Sequence, residues 1–266
     1  MLLRVLRRWS MRKSLFAIAL LTSSVAQAGV EVTVAANSLL RLPNATSTLL
    51  LDRLDIADGA TLSVPATVTE IRVNELHMGR NAHIAIAASE QTFRLEARKA
   101  ELGLGSHINA RGSSGSFEKP AAAGRNLNIR FEQVQVGDLT VDVQGGIGAP
   151  GYQGLDGADG KAAGCTWGEA GDGYDGQNGG DGQTGAAGGL VRLEVPADFP
   201  AEQLTVKLDG GQGGAAGEAG KGGKAGAAKG CLVYDTDGGK AGRAGQPGQP
   251  GGNGSAGSLN LVRITN

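Results

Sequence analysis

Glycine at every third residue, sustained over long runs, is the feature that most narrows what this chain can fold into. Gly148, Gly151, Gly154, Gly157 and Gly160 share one register; after a slip, Gly173, Gly176, Gly179, Gly182, Gly185 and Gly188 share another. A second region repeats the arrangement, with Gly211 to Gly226 going out and Gly239 to Gly257 coming back in steps of three. A period of three matches a left-handed extended helix with three residues per turn and no internal hydrogen bonds. Its peptide groups must pair with neighbouring runs or with water. A glycine in each turn leaves one side bare, and another backbone can approach there.

Each region reads as an out-and-back arm. The first spans 144–189 and the second 209–257; each follows a strand-like segment (LTVDV, LTVKL), ends in another (GLVRLEV, SLNLVRI), and carries one cysteine near its middle. Three packings are open: a single-chain bundle of antiparallel glycine helices, a trimeric collagen-like stalk, and unstructured glycine-rich loops. The short runs, the slip around Ala162–Gly164, and the presence of only Pro150, Pro247 and Pro250 favour the bundle over collagen. At 3.1 Å per residue, a one-way run of roughly 22 residues reaches about 65 Å.

Residues 30–143 alternate apolar and polar residues in short strands. Leu62, Ile84, Ile108, Val141 and Val206 align in one inward column, and Val64, Ile86, Ala110, Val143 and Leu208 in the next. The spacing of about 22–24 residues, with stacked aliphatic columns, predicts a parallel β-solenoid. Insertions after Ala110, Val143 and Leu208 all fall at one corner of the coil, so the arms stack on one side. The expected fold class is all-β: a short parallel β-solenoid with an inserted polyglycine-II-type bundle and few or no α-helices after the leader. The expected divisions are a signal peptide at 1–28, the solenoid base at 29–143 (continued by 190–208 and 258–266), and the two arms.

The leader has basic residues before LFAIALL and then Ala26-Gln27-Ala28, an export signal with cleavage after Ala28; Met1 or Met11 is the start. A secreted or periplasmic location by the Sec route follows. A formal net charge of −1 makes no case for nucleic acid, and no later segment reads as a membrane span. The expected state is a monomer.

Cys165 and Cys231 hold matched places at the two arm tips, and in an exported chain they predict a disulfide. Every tyrosine, and the one tryptophan outside the leader, lies in the arms. Tyr152, Trp167, Tyr174 and Tyr234, with Asp172, Asp175, Asp235 and Asp237, are therefore the candidate contact residues, either for a glycan or simply as tip-covering groups. The acidic loops YDTDGG and GYDGQNGGDG carry incomplete Ca²⁺ spacings, so no cofactor or metal is expected beyond that weak Ca²⁺ signal. His83 and His107 occupy matching outward positions, which reads as solvated rungs or as a metal ladder. No arrangement for nucleophilic, phosphate-binding or metal-assisted catalysis is present, and no enzyme is expected.

The Gly-x-x runs resemble those of exported bacterial proteins of the collagen-like kind. The out-and-back arms with their disulfide resemble the polyglycine-II bundles of snow-flea-type antifreeze proteins and of some phage adhesin tips. That resemblance covers residues 144–257 and implies a rigid extracellular surface for adhesion or ice contact. The resulting expectation is a non-enzymatic structural or adhesive protein contacting a glycan, cell-surface or matrix component. The alternatives are an ice-binding protein with a flat glycine-helix face and a collagen-like trimeric stalk.

Overall fold

The computed structural model describes residues 29–166 and 168–265; the expected leader, Trp167 and Asn266 lie outside the described residues. The described chain is almost wholly β and parallel, with a three-residue 3-10 turn at Ala201–Gln203 as its sole helical element. The first strands are β1 (Glu31–Val34), β2 (Leu39–Arg41), β3 (Thr48–Ile56), β4 (Thr61–Val64), β5 (Glu70–Met78) and β6 (His83–Ile86). They continue as β7 (Phe93–Leu102), β8 (Ser106–Asn109), β9 (Leu127–Val136), β10 (Leu139–Asp142), β11 (Leu190–Pro196) and β12 (Leu204–Lys207). Two short strands, β13 (Lys229–Gly230) and β14 (Asp235–Thr236), precede β15 (Ser258–Ile264).

Successive strands alternate between two sheets. A seven-stranded sheet has the order β1-β3-β5-β7-β9-β11-β15, and a six-stranded sheet the order β12-β10-β8-β6-β4-β2. Each strand therefore lies beside its counterpart one circuit later. The pairing sets Leu62 beside Ile84, then Ile108, Val141 and Val206, the column the spacing predicts. These side chains point between the sheets, where Leu54, Met78, Phe93 and Phe131 complete the core. Burying one such side chain is worth about 1.5–3 kcal/mol, and every circuit adds several.

Turn chemistry repeats with the circuits. Asn37, Gly59, Asn81 and Gly105 all have positive φ, the backbone state that glycine and asparagine tolerate best. Another corner is held from inside. Arg125 is fully buried, stacks 5.4 Å from the Phe93 ring centroid, and donates to the carbonyls of Gln91, Ala87 and Val68. One guanidinium thus ties together turns from different circuits, using donors in a fixed fork.

Residues 111–125, 144–189 and 209–257 leave this corner as three successive layers, the first short and the other two long. Within arm 1 the returning run donates to the outgoing run at Tyr174→Ala158, Gln177→Leu155, Gly180→Tyr152 and Gln183→Ala149. Arm 1 donates to arm 2 through Gly151→Ala215, Gly154→Glu218 and Gly157→Lys221, and again through Gly176→Arg243 and Gly179→Gln246. Arm 2 answers with Gly217→Gly180 and Gly220→Gln177, and closes on itself with Gly245→Gly220 and Gly248→Gly217. Every third N–H of each run is thereby satisfied by a different run, as an extended backbone without internal bonds requires. A Cβ added at Gly217 would land on the Tyr152 carbonyl, so the period of three follows from backbone contact.

Candidate contact surfaces on the glycine-rich arms

Asx–Gly dipeptides lock the layers. Asp172, Asp175, Asn178 and Asp181 accept the backbone N–H groups of Lys240, Arg243, Gln246 and Gln249 at 2.6–2.8 Å. The glycine after each Asx donates to the carbonyl of that same partner residue, from Gly173→Lys240 to Gly182→Gln249. Asp156 and Asp159 hold Lys221 and Lys224 in the same way at 2.7 Å. Two of the expected contact residues, Asp172 and Asp175, are therefore engaged by the backbone of the neighbouring arm. They lie along the returning run instead of at its tip. The partner sits 68 residues away, so local spacing gave no sign of it; the repeated Asx–Gly dipeptides were the available signal.

The tip itself is closed by the Cys165–Cys231 disulfide, which joins the two arms with the Cα atoms 5.7 Å apart. Tyr234 donates its hydroxyl to the Cys165 carbonyl, so this tyrosine is both contact candidate and clasp. Asp235 and Asp237 stay exposed nearby. Among the described residues no group of three or more His, Cys, Asp or Glu side chains is placed to hold a metal ion.

Tyr152 and Tyr174 do not reach the tip. Positions equivalent to Tyr152, Leu155 and Ala158 are Gly217, Gly220 and Gly223 in arm 2, where a Cβ would strike the carbonyl of the layer beneath. The layer beneath arm 1 is the short 111–125 insertion, which meets it only as far as Ala149 and Gln183. Beyond that point large side chains replace glycine. Tyr152 lies against Gly180, and Tyr152, Leu155 and Tyr174 are exposed on this uncovered face. Hydrogen-bond register sets Tyr152 level with Gly180 and Tyr174 level with Ala158, six residues or about 19 Å apart along the arm. Leu155 and Gln177 lie midway.

Elsewhere the surface is charge-balanced. A shallow groove of about 320 Å³ crosses the outer face of the seven-stranded sheet, lined by Leu50, Arg72, Asn74, Glu96, Arg98 and Arg130 among others. Its Arg72 pairs with Glu96 at 3.3 Å and its Arg130 with Glu194 at 3.4 Å, both at the surface. On the six-stranded sheet His83 and His107 stack with ring centroids 4.9 Å apart. Burial, and then the neighbouring His107, hold the His83 pKa below its ordinary value. Among the described residues no helix is long and apolar enough to cross a membrane.

Comparison of the chain with protein-family models, curated proteins and solved structures finds no match.

Proposed function

We propose that this chain is an exported, non-enzymatic structural protein that presents a rigid plate to a glycan-bearing surface. The two sheets act as a β-solenoid base, and residues 144–189 and 209–257 form a polyglycine-II-type bundle continuing its axis. The ladder of Gly N–H bonds between all four runs supports that reading of the arms. The observation that carries the contact function is the row Tyr152, Leu155, Gln177 and Tyr174 on the uncovered face of arm 1. Aromatic faces set on an unyielding backbone, with an amide between them, suit sugar rings laid along the arm. Export by the leader and a periplasmic or extracellular location complete the proposal, and the disulfide is compatible with it.

The test is retention on insoluble polysaccharides (chitin, cellulose and peptidoglycan) of the oxidised protein and of a Tyr152→Ala/Tyr174→Ala variant. The proposal expects retention on at least one matrix and its loss in the variant. Equal retention of both, or none by either on all three, overturns the assignment of this face.

A second reading, ice contact, draws on the outer side of the returning run of arm 2, where Ala241, Ala244, Pro247, Pro250 and Ala256 recur in one three-residue register and stay exposed. Thermal hysteresis of the purified protein separates the readings, and its absence removes this one.

A further inference from the structure

The apex of arm 2 carries apolar side chains that no packing role among the described residues explains. Leu232 is 106% exposed and Val233 90% exposed, the largest values among the exposed large hydrophobic residues. Both sit at the centre of a turn closed by Cys231 N–H donating to the Tyr234 carbonyl at 2.9 Å. Behind the turn β13 and β14 pair antiparallel. The disulfide and the Tyr234 hydroxyl bind the same turn to arm 1. A flexible loop would fold such residues back onto the protein. This turn is fixed at both ends, at the far end of an arm whose tip is remote from the core.

We propose that Leu232 and Val233 are a membrane-surface contact, entering the interfacial region of a lipid bilayer with Tyr234 at headgroup depth. The proposal rests on reading the arms as a rigid bundle, since only a stiff arm holds a turn outward. The chemistry selects lipid over sugar, because two aliphatic side chains have nothing to offer hydroxyls. A convex turn reaches a planar surface without a matching cavity. Lys229 and Asp235, in the paired strands just behind the turn, carry one charge of each sign, and the exposed Asp237 adds a second carboxylate. This set gives no attraction to anionic lipid, so the surface in question is a zwitterionic one. Two aliphatic side chains bury fewer carbons than a single acyl anchor, so the binding is weak and reversible, and it is insensitive to salt because no polybasic patch contributes. Tyrosine beside an aliphatic pair suits the boundary between headgroups and chains.

The test is flotation of the oxidised full chain with phosphatidylcholine vesicles, against a Leu232→Ser/Val233→Ser variant, with small-angle scattering of both samples. The expected result is co-flotation of the parent protein, unchanged by raised salt, and partition about tenfold or more weaker in the variant. Equal partition of the two proteins, or no flotation of the parent, overturns the lipid assignment. An extended scattering profile alongside that failure leaves the rigid plate standing. A profile without an extended arm removes the plate and the lipid contact together.

Discussion

Gly251 and Gly252 are adjacent and chemically identical, yet adding one methyl group to each should move stability in opposite directions. A Cβ at Gly251 would fall on the carbonyl of Gln183, a backbone atom of the neighbouring run. Relief requires separating the runs, which strains the bond from Gly251 N–H to the Gly214 carbonyl at 2.9 Å and the Gly214 N–H bond to Gln183 at 2.8 Å. Overpacking costs about 1–3 kcal/mol and a weakened hydrogen bond about 0.5–1.5 kcal/mol. Gly251→Ala is therefore expected to destabilise by about 2–4 kcal/mol, which lowers Tm by roughly 5–15 °C in a chain of this size. At Gly252 the nearest heavy atom to the added Cβ is Thr184 Cγ2 at 3.8 Å, an ordinary contact. There the methyl chiefly restricts the unfolded chain, so Gly252→Ala is expected to stabilise by about 0.4–1 kcal/mol. The assay is thermal unfolding of the oxidised variants followed by circular dichroism. Equal shifts in the two variants, or a harmless Gly251→Ala, would refute the contact argument.

Three further outcomes follow from other parts of the fold. Arg125→Met leaves the carbonyls of Gln91, Ala87 and Val68 without their donor, of which only the bond to Val68 is fully buried; at about 1–3 kcal/mol for an unsatisfied buried group, a loss of about 1–3 kcal/mol is expected in urea unfolding, with Arg125→Lys falling between. Reducing Cys165–Cys231, which closes a loop with a sequence separation of 66, is expected to remove about 4 kcal/mol on the chain-entropy account, read as a lower unfolding midpoint in reductant. His83 is held below its ordinary pKa by burial and His107, so the unfolded chain binds its proton more readily than the folded one. Its contribution is present above the unfolded value of about 6.5 and fades as pH falls through the folded pKa. His83→Gln should flatten the stability profile over that acidic window, and an unchanged slope would show that another group sets it.

The aliphatic columns were legible in the sequence because a parallel stack repeats its inward residues at nearly constant spacing. Leu62, Ile84, Ile108, Val141 and Val206 pair as that spacing implies. The cysteine pairing was legible because the arms are two copies of one plan and their midpoints coincide. What escaped was everything that depends on which layer lies next to which. Asp172 and Asp175 read as free acids until their backbone partners, Lys240 and Arg243, came alongside. Tyr152 and Tyr174 read as tip residues, whereas they mark where the 111–125 layer stops covering arm 1. Arg125 gave no signal at all, since a lone arginine after a glycine looks like surface and its acceptors come from Ala87, Gln91 and the more distant Val68. Leu232 and Val233 carried no reading of their own in the sequence. Their exposure comes from the clasp that binds Cys231 and Tyr234 to arm 1.

The central claim is that the arms form one hydrogen-bonded bundle within a single chain. Residue-resolved amide exchange, on a sample whose molar mass is fixed by sedimentation, tests it most directly. The account predicts a monomer in which Gly217, Gly220 and Gly223 are strongly protected through their bonds to Gly180, Gln177 and Tyr174. The outer-run amides of Ala241 and Ala244, which make no bond to another run, should exchange freely. Uniformly fast exchange across both arms, or protection that appears only in a trimer, would contradict it.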